Sequence, residues 1–179
     1  MKAILISIKP KYVVDILNGK KTLEIRKTIP NCELPIDVYI YCTHDKKDKL
    51  FKNLQTNEYL LFNWQDVNGF NGSVVAKFTL KEVRPIYVVH FNTYYEYKPV
   101  DMLPAQLEIR SCLNQIELDN YLHKKKGYAW CIDNVVAFNK PKELYEMKRL
   151  EHFGIRNKCE MLVPLTRAPQ SWCFIETGD

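Results

Sequence analysis

Gly19-Lys20-Lys21-Thr22-Leu23-Glu24-Ile25-Arg26 places an ammonium, a hydroxyl, a carboxylate and a guanidinium within eight residues. Just before it, Val13, Ile16 and Leu17 recur at the i, i+3, i+4 spacing of one helix face. Lys9-Pro10 opens that helix, because proline at the first helical position forgoes a hydrogen bond that would go unmade anyway. Gly19 is placed to end it in a left-handed conformation. From Thr22 the period changes to two, with Leu23 and Ile25 on one strand face and Thr22, Glu24 and Arg26 on the other. Same-face neighbours stand about 7 Å apart, so their long side chains can converge over one pocket floor. Strict alternation sends Lys21 to the Leu23 face. It meets Glu24 only if the backbone bends just after Gly19, which glycine permits. The alternative reading of the spacing is a same-face Glu24–Arg26 ion pair beside a solvated Lys20-Lys21 turn.

The flanking chain supplies mostly strands. Ala3 to Ile8 is nearly all apolar, the mark of a strand covered on both faces. Ile36 to Cys42 alternates and predicts a half-buried strand, and Val74, Ala76, Phe78 and Leu80 predict another with one wet face. Pro85 interrupts it, Ile86 to Phe91 follows as a second strand, and Tyr94-Tyr95-Glu96-Tyr97 reads as a loop. Met102 to Lys126 reads as helical. Asn114 and Glu117 have capping-box spacing, and Lys124 to Lys126 fall in the last turn before Gly127, where cations suit the helix dipole. Tyr128 to Ile132 predicts a strand with Val135 to Phe138 pairing against it. A short helical turn follows from Lys140, carrying Leu144 and Met147, and Gln170 to Glu176 is a last strand. Leu50 to Asn71 has no clean period and receives no assignment, and Arg149 to Lys158 is a polar stretch. Without repeats, linkers or βαβ alternation, the expectation is one α+β domain over 1–179. It would be a small mixed β-barrel with peripheral helices and a partly helical insertion near 92–126.

Composition narrows the function classes. The 179 residues are 46% hydrophobic and 26% charged, which is globular, and no apolar run approaches the ~20 residues of a membrane span. The first apolar run is too short for a signal-peptide core, so a cytoplasmic address with no membrane partner is expected. The formal net charge of +5 suits an anionic partner such as a nucleotide or RNA, with no DNA-specific signal. Six cysteines without a C-x-x-C pair, and four histidines without ligand spacing, predict reduced, mostly buried thiols and no metal. No phosphate-cradling glycine loop or nucleophile elbow occurs, so no cofactor is expected.

Gly19, Lys21, Glu24 and Arg26 match G-x-K-x-x-E-x-R, and in this the chain resembles the ASCH domain family, a branch of the PUA-like β-barrels. The setting is similar too, since that family places the motif after a first strand and helix. Gly72 to Phe78, Gly127 to Ile132 with Lys140 to Leu144, and Arg167 to Trp172 look like later blocks of its bacterial and phage-associated members. The resemblance implies a cleft between first helix and barrel, lined by the motif and suited to RNA or a modified nucleoside. Lys21, Glu24 and Arg26 would line it, with Ser7 and Lys9, at the end of the first strand, and Gln170, Ser171 and Trp172 at its edges. Trp130 and Trp172 could stack on a base or belong to the core.

Some small members resemble amidohydrolases that deacetylate N4-acetylcytidine with the motif lysine, a threonine and a separate glutamate. Lys21 corresponds to that lysine, and Glu108 or Glu117 could supply the separate carboxylate. Glu24 stands at the threonine position, and a carboxylate cannot simply replace a hydroxyl nucleophile. Binding therefore leads. The alternatives are a hydrolase of an N4-acylated cytidine or of RNA, with Lys21 and Glu24 in acid–base roles, and a protein-interaction module with a vestigial cleft.

Overall fold

A computed structural model describes residues 1–63, 69–153 and 159–178; the side chains of His152, Phe153 and Cys159, and part of the polar stretch expected over 149–158, lie outside the described residues. The elements in chain order are β1 (Lys2–Ile8), α1 (Pro10–Leu17), β2 (Leu23–Arg26), β3 (Ile36–Cys42), β4 (Lys49–Lys52), β5 (Tyr59–Phe62), β6 (Ser73–His90), β7 (Tyr95–Pro99), α2 (Pro104–Ser111), α3 (Gln115–Leu122), β8 (Gly127–Lys142), a 3-10 turn (Leu144–Glu146), β9 (Lys148–Phe153), β10 (Cys159–Pro164) and β11 (Trp172–Glu176). The architecture is α+β. One mixed sheet runs β10-β9-β11-β1-β3-β6-β8-β2, with β7 on the far half of β6 and β4-β5 as a separate ribbon.

The sheet curls without closing into a barrel, because β2 pairs only with β8 and its other edge forms no ladder among the described residues. A side chain spans that gap. Arg26 at the end of β2 donates to the Ser7 carbonyl on β1 at 2.8 Å and to the Ser171 hydroxyl just before β11 at 3.1 Å.

Three apolar clusters hold the layers. Ile4, Ile6, Val38, Ile40, Phe78 and Trp130 pack under Val13 and Ile16 of α1. On the opposite face of β1 and β3, Leu5, Tyr39 and Tyr41 pack with Met147 and Leu165. This second cover makes β3 buried on both faces rather than half-buried, since the tyrosines lie under a segment more than a hundred residues away. Leu23 and Ile25 face a third cluster built from Tyr97, Leu107, Leu118 and Leu122. Alternation along β2 therefore puts Leu23 and Ile25 against α2 and α3 and turns Glu24 and Arg26 the other way.

Several local expectations change. Pro85 does not interrupt a strand, for β6 runs through it with Pro85 opposite Tyr128 and its carbonyl accepting from Val100 at 3.0 Å. A register shift between Leu80 and Val83 absorbs the irregularity, the setting in which a sheet tolerates proline. The Tyr94 to Tyr97 segment is no loop. From Tyr95 it forms β7, hairpinned on β6. Val135 to Phe138 continues β8 instead of folding back on it, because β6 is long enough to pair with the whole of β8.

The helical stretch is two helices. The second ends at His123, with φ of 55°, so Lys124 to Lys126 lie beyond its last turn. Of the five described cysteine side chains, all free thiols, only Cys42 is fully buried; burial pushes its thiol up to about 12.

Candidate functional site

The site begins at the end of α1. Asn18 closes the helix, and Gly19, at φ +73°, turns the chain in a conformation that other residues rarely adopt. The amides of Lys20 and Lys21 then both donate to the Asp15 carbonyl, at 2.8 and 2.9 Å. That pair of hydrogen bonds holds the chain bent for two residues, so strand alternation starts only afterwards and Lys21 turns toward Glu24. The Thr22 amide donates to the Arg110 carbonyl and the Thr22 carbonyl accepts from Ile132, which brings β2 to its place beside β8. Thr22 itself leaves the expected face: its hydroxyl accepts from Arg110 Nε at 3.0 Å.

Lys21, Glu24 and Arg26 form one buried network. Lys21 Nζ lies 3.3 Å from Glu24 Oε2, and Arg26 Nη2 lies 2.9 Å from Glu24 Oε1. Lys21 also donates to the Ser111 carbonyl at 2.6 Å and stands 5.2 Å from the centre of the Tyr12 ring. The three residues are 2%, 7% and 6% exposed, so this is neither a solvated basic turn nor a surface ion pair. Burying charges is costly, and partners on every side are what makes it tolerable. Both carboxylate oxygens are engaged. Two formal cations face one anion, so the floor carries one positive charge in excess. Arg26 Nε, also buried, makes no hydrogen bond among the described residues, and the Tyr121 hydroxyl stands close to the guanidinium.

Above this floor is a cavity of about 460 Å³, within the ~300–1,000 Å³ common for small-ligand sites. Every buried charged side chain among the described residues, namely Lys21, Glu24 and Arg26, lines it. Two other concavities of similar size near Met1 have no buried charged residue in their walls.

Of the residues singled out in the sequence, Ser7, Lys9, Lys21, Glu24, Arg26 and Gln170 line the cavity together. Ser7 donates its hydroxyl to the Pro169 carbonyl at 2.6 Å. Ser171 is not in the lining and instead supports Arg26 from behind. Trp172 is not in it either. Its indole donates to the Thr28 hydroxyl and packs 5.8 Å from Trp130, which is fully buried in the core.

The opposite wall is α3. Glu117, Asn120 and Tyr121 sit at i, i+3, i+4 and turn one helix face to the cavity, with Tyr12 from α1 beside them. The Asn114–Glu117 capping box fixes the phase of that helix: the Asn114 side chain accepts from the Glu117 amide, and Glu117 Oε2 accepts from the Asn114 amide. Glu117 Oε1 also accepts from Lys11 at 3.1 Å and from the Tyr12 hydroxyl at 3.4 Å. The Asn114 amide first, then Lys11, hold the Glu117 carboxyl below its usual range. Burial pushes the Tyr12 and Tyr121 hydroxyls up, with Glu117 adding to the first and Arg26 opposing the second. Glu108 does not line the cavity.

The capping box was readable in the sequence, and extending its phase by one turn would have found Asn120 and Tyr121. Nothing local pointed to Tyr12 or Thr43. Among the described residues, no group of three or more His, Cys, Asp or Glu side chains is arranged to hold a metal, and no helix is long and apolar enough to cross a membrane.

No family model matches the sequence, and no curated protein matches it. Solved structures do. ASCH from Zymomonas mobilis is 17% identical with a TM-score of 0.52, over 97% of this chain and 87% of that one. Two mutant forms of the same protein are each 18% identical, with TM-scores of 0.57 and 0.55, over 97% and 98% of this chain and 88% and 91% of theirs. The chain has the ASCH domain fold.

Proposed function

We propose that this protein binds RNA or a nucleoside-like ligand in the cavity floored by Lys21, Glu24 and Arg26. One observation carries the reading: the buried charged side chains converge on one concavity, with a formal positive excess. A donor held in place in a site of low dielectric is what a carbonyl, ring nitrogen or phosphate oxygen of a ligand requires. Tyr12 and Tyr121 offer ring faces, and Asn120 and Gln170 at the exposed rim offer a donor and an acceptor each. The ASCH fold supports the same reading.

The floor suits binding better than hydrolysis. Each Glu24 oxygen already faces a cation, and Lys21 is bound to Glu24 and the Ser111 carbonyl, so neither group turns onto a substrate without breaking a buried contact. A vestigial cleft would leave the three side chains exposed and paired only with one another, whereas they are buried.

Isothermal titration with the four ribonucleosides, their 5′-monophosphates and a short mixed-sequence RNA tests this. Saturable binding is expected, weakened by Arg26→Lys, which keeps the charge and loses the planar fork. Gln170→Ala and Asn120→Ala, at exposed positions, should weaken it at unchanged melting temperature. Absence of binding to every ligand, or equal binding by all variants, overturns the proposal. Chromatography of the same mixtures reports turnover; product formation abolished by Lys21→Ala would move the reading to a hydrolase.

A further inference from the structure

The β6–β7 hairpin projects aromatic side chains that neither the core nor the cavity uses. Tyr95 and Tyr97 point inward, against the cluster formed with α2 and α3. The residues between and beside them therefore point outward, and register sets Tyr87 opposite Lys98 and Val89 opposite Glu96 on that outer face. At the tip, the Phe91 amide donates to the Tyr94 carbonyl, and the two rings stack with centroids 4.5 Å apart and planes 14° from parallel. Tyr87, Phe91 and Tyr94 are 53%, 44% and 59% exposed. Two stacked exposed rings at the tip, with a third exposed ring on β6, form the kind of surface patch that marks an interaction site.

Charge says what covers it. Lys98 lies on the outer face; the exposed Lys124, Lys125 and Lys126 follow α3 and lead into β8 at the edge of β6, where Gly127 pairs with Ile86, with Lys124 itself on the inner side, its Nζ 4.9 Å from the centre of the Tyr95 ring. Against these four cations stand Glu96 on the outer face and Asp119, whose carboxylate meets the Tyr95 hydroxyl, leaving two positive charges in excess. Aromatic faces interleaved with lysines are the surface that accepts a single-stranded nucleic acid, bases on rings and phosphates on ammonium groups, whereas a protein partner of ordinary composition has no use for the charge excess. The same α3 turns Asn120 and Tyr121 to the cavity and Asp119 to Tyr95 of the hairpin, so one helix separates the two surfaces.

We infer that the outer face of the β6–β7 hairpin, with Lys124 to Lys126, is a second nucleic-acid surface that stacks the bases of a single strand by Tyr87, Phe91 and Tyr94. It goes beyond the cavity reading and extends it to a chain longer than one nucleotide.

Fluorescence anisotropy with a 5′-labelled 12-nucleotide single-stranded RNA of mixed sequence tests it on the full chain. Phe91→Ala with Tyr94→Ala should weaken binding roughly tenfold or more, as the loss of base stacking predicts. Replacing Lys124, Lys125 and Lys126 by alanine should flatten the slope of log K against log salt by about 2, at ~0.7 per phosphate contact. Titration of nucleoside monophosphates into the cavity should be unchanged by either set. RNA binding that is strong but indifferent to both sets overturns the hairpin inference and leaves the cavity reading standing. Hairpin-dependent RNA binding with no binding of any mononucleotide overturns the cavity reading instead. Loss of self-association in the aromatic variant, by sedimentation velocity, with unaltered RNA binding would make the face a protein contact and overturn the inference.

Discussion

The cavity floor and the β6–β7 hairpin hold the same kinds of group, cations and aromatic rings, in opposite environments. At the floor, Lys21 and Arg26 are buried and each is tied to Glu24 and to a backbone carbonyl. On the hairpin, Lys98 and Lys124 to Lys126 stand in water and the rings of Phe91 and Tyr94 stack on each other at the tip. Buried charges must be satisfied by the fold itself, so the floor is part of what holds the molecule together. Exposed ones cost little and can be spent on a partner. Mutations at the floor should thus damage stability and binding together, and mutations on the hairpin should damage binding alone.

The largest effect is expected from Glu24→Ala. It leaves Lys21 and Arg26 buried without their shared anion, a change that costs ~3–5 kcal/mol in buried networks and should lower the melting temperature by roughly 10 °C or more. A fall of only a degree or two in a calorimetric scan would mean that water reaches the floor and the contrast is false. Next comes Arg26→Ala, which removes both the Glu24 partner and the bridge to Ser7 and Ser171. Both melting temperature and ligand affinity should drop, and retention of either would separate the two roles that the geometry joins.

The paired Phe91→Ala, Tyr94→Ala change should leave the melting temperature within about a degree of the parent. A large loss would put those rings in the core. The smallest effect belongs to the clasp between α1 and α3. Glu117 titrates below its ordinary value of 4.5 in the folded protein, so its contribution is fully present above that value and is lost as pH falls through the lower folded value. Urea midpoints measured from pH 7 to pH 3 should therefore converge for the parent and Glu117→Gln at the acid end. A constant gap across that range would contradict the clasp.

The two regions also differ in how much of them could be read from the chain. Leu23 and Ile25 against Glu24 and Arg26 follow from period two, and the glycine turn follows from the left-handed φ at Gly19. The position of Lys21 needed one more fact, the double acceptance by the Asp15 carbonyl, which no spacing displays. Tyr12 enters the cavity because α1 packs beside a helix a hundred residues later, and that distance is invisible to local pattern. The hairpin was harder still. Pro85 argues locally for a break, and only pairing with β7 and β8, set by contacts far along the chain, carries β6 through it. The open sheet has the same origin: the alternation of single strands says nothing about whether the last edge finds a partner, and here the Arg26 side chain spans it instead of a ladder.

The most direct test of the floor as a ligand site watches Arg26 itself. In a proton–nitrogen correlation spectrum of arginine-labelled protein, the Arg26 Nε–H signal is identified by its disappearance in Arg26→Lys. Titration with an equimolar mixture of the four ribonucleoside 5′-monophosphates should shift it saturably, as a ligand seats against the guanidinium. A signal that stays fixed while the mononucleotides bind elsewhere, or fail to bind, would contradict the assignment of this cavity to a nucleoside-like ligand.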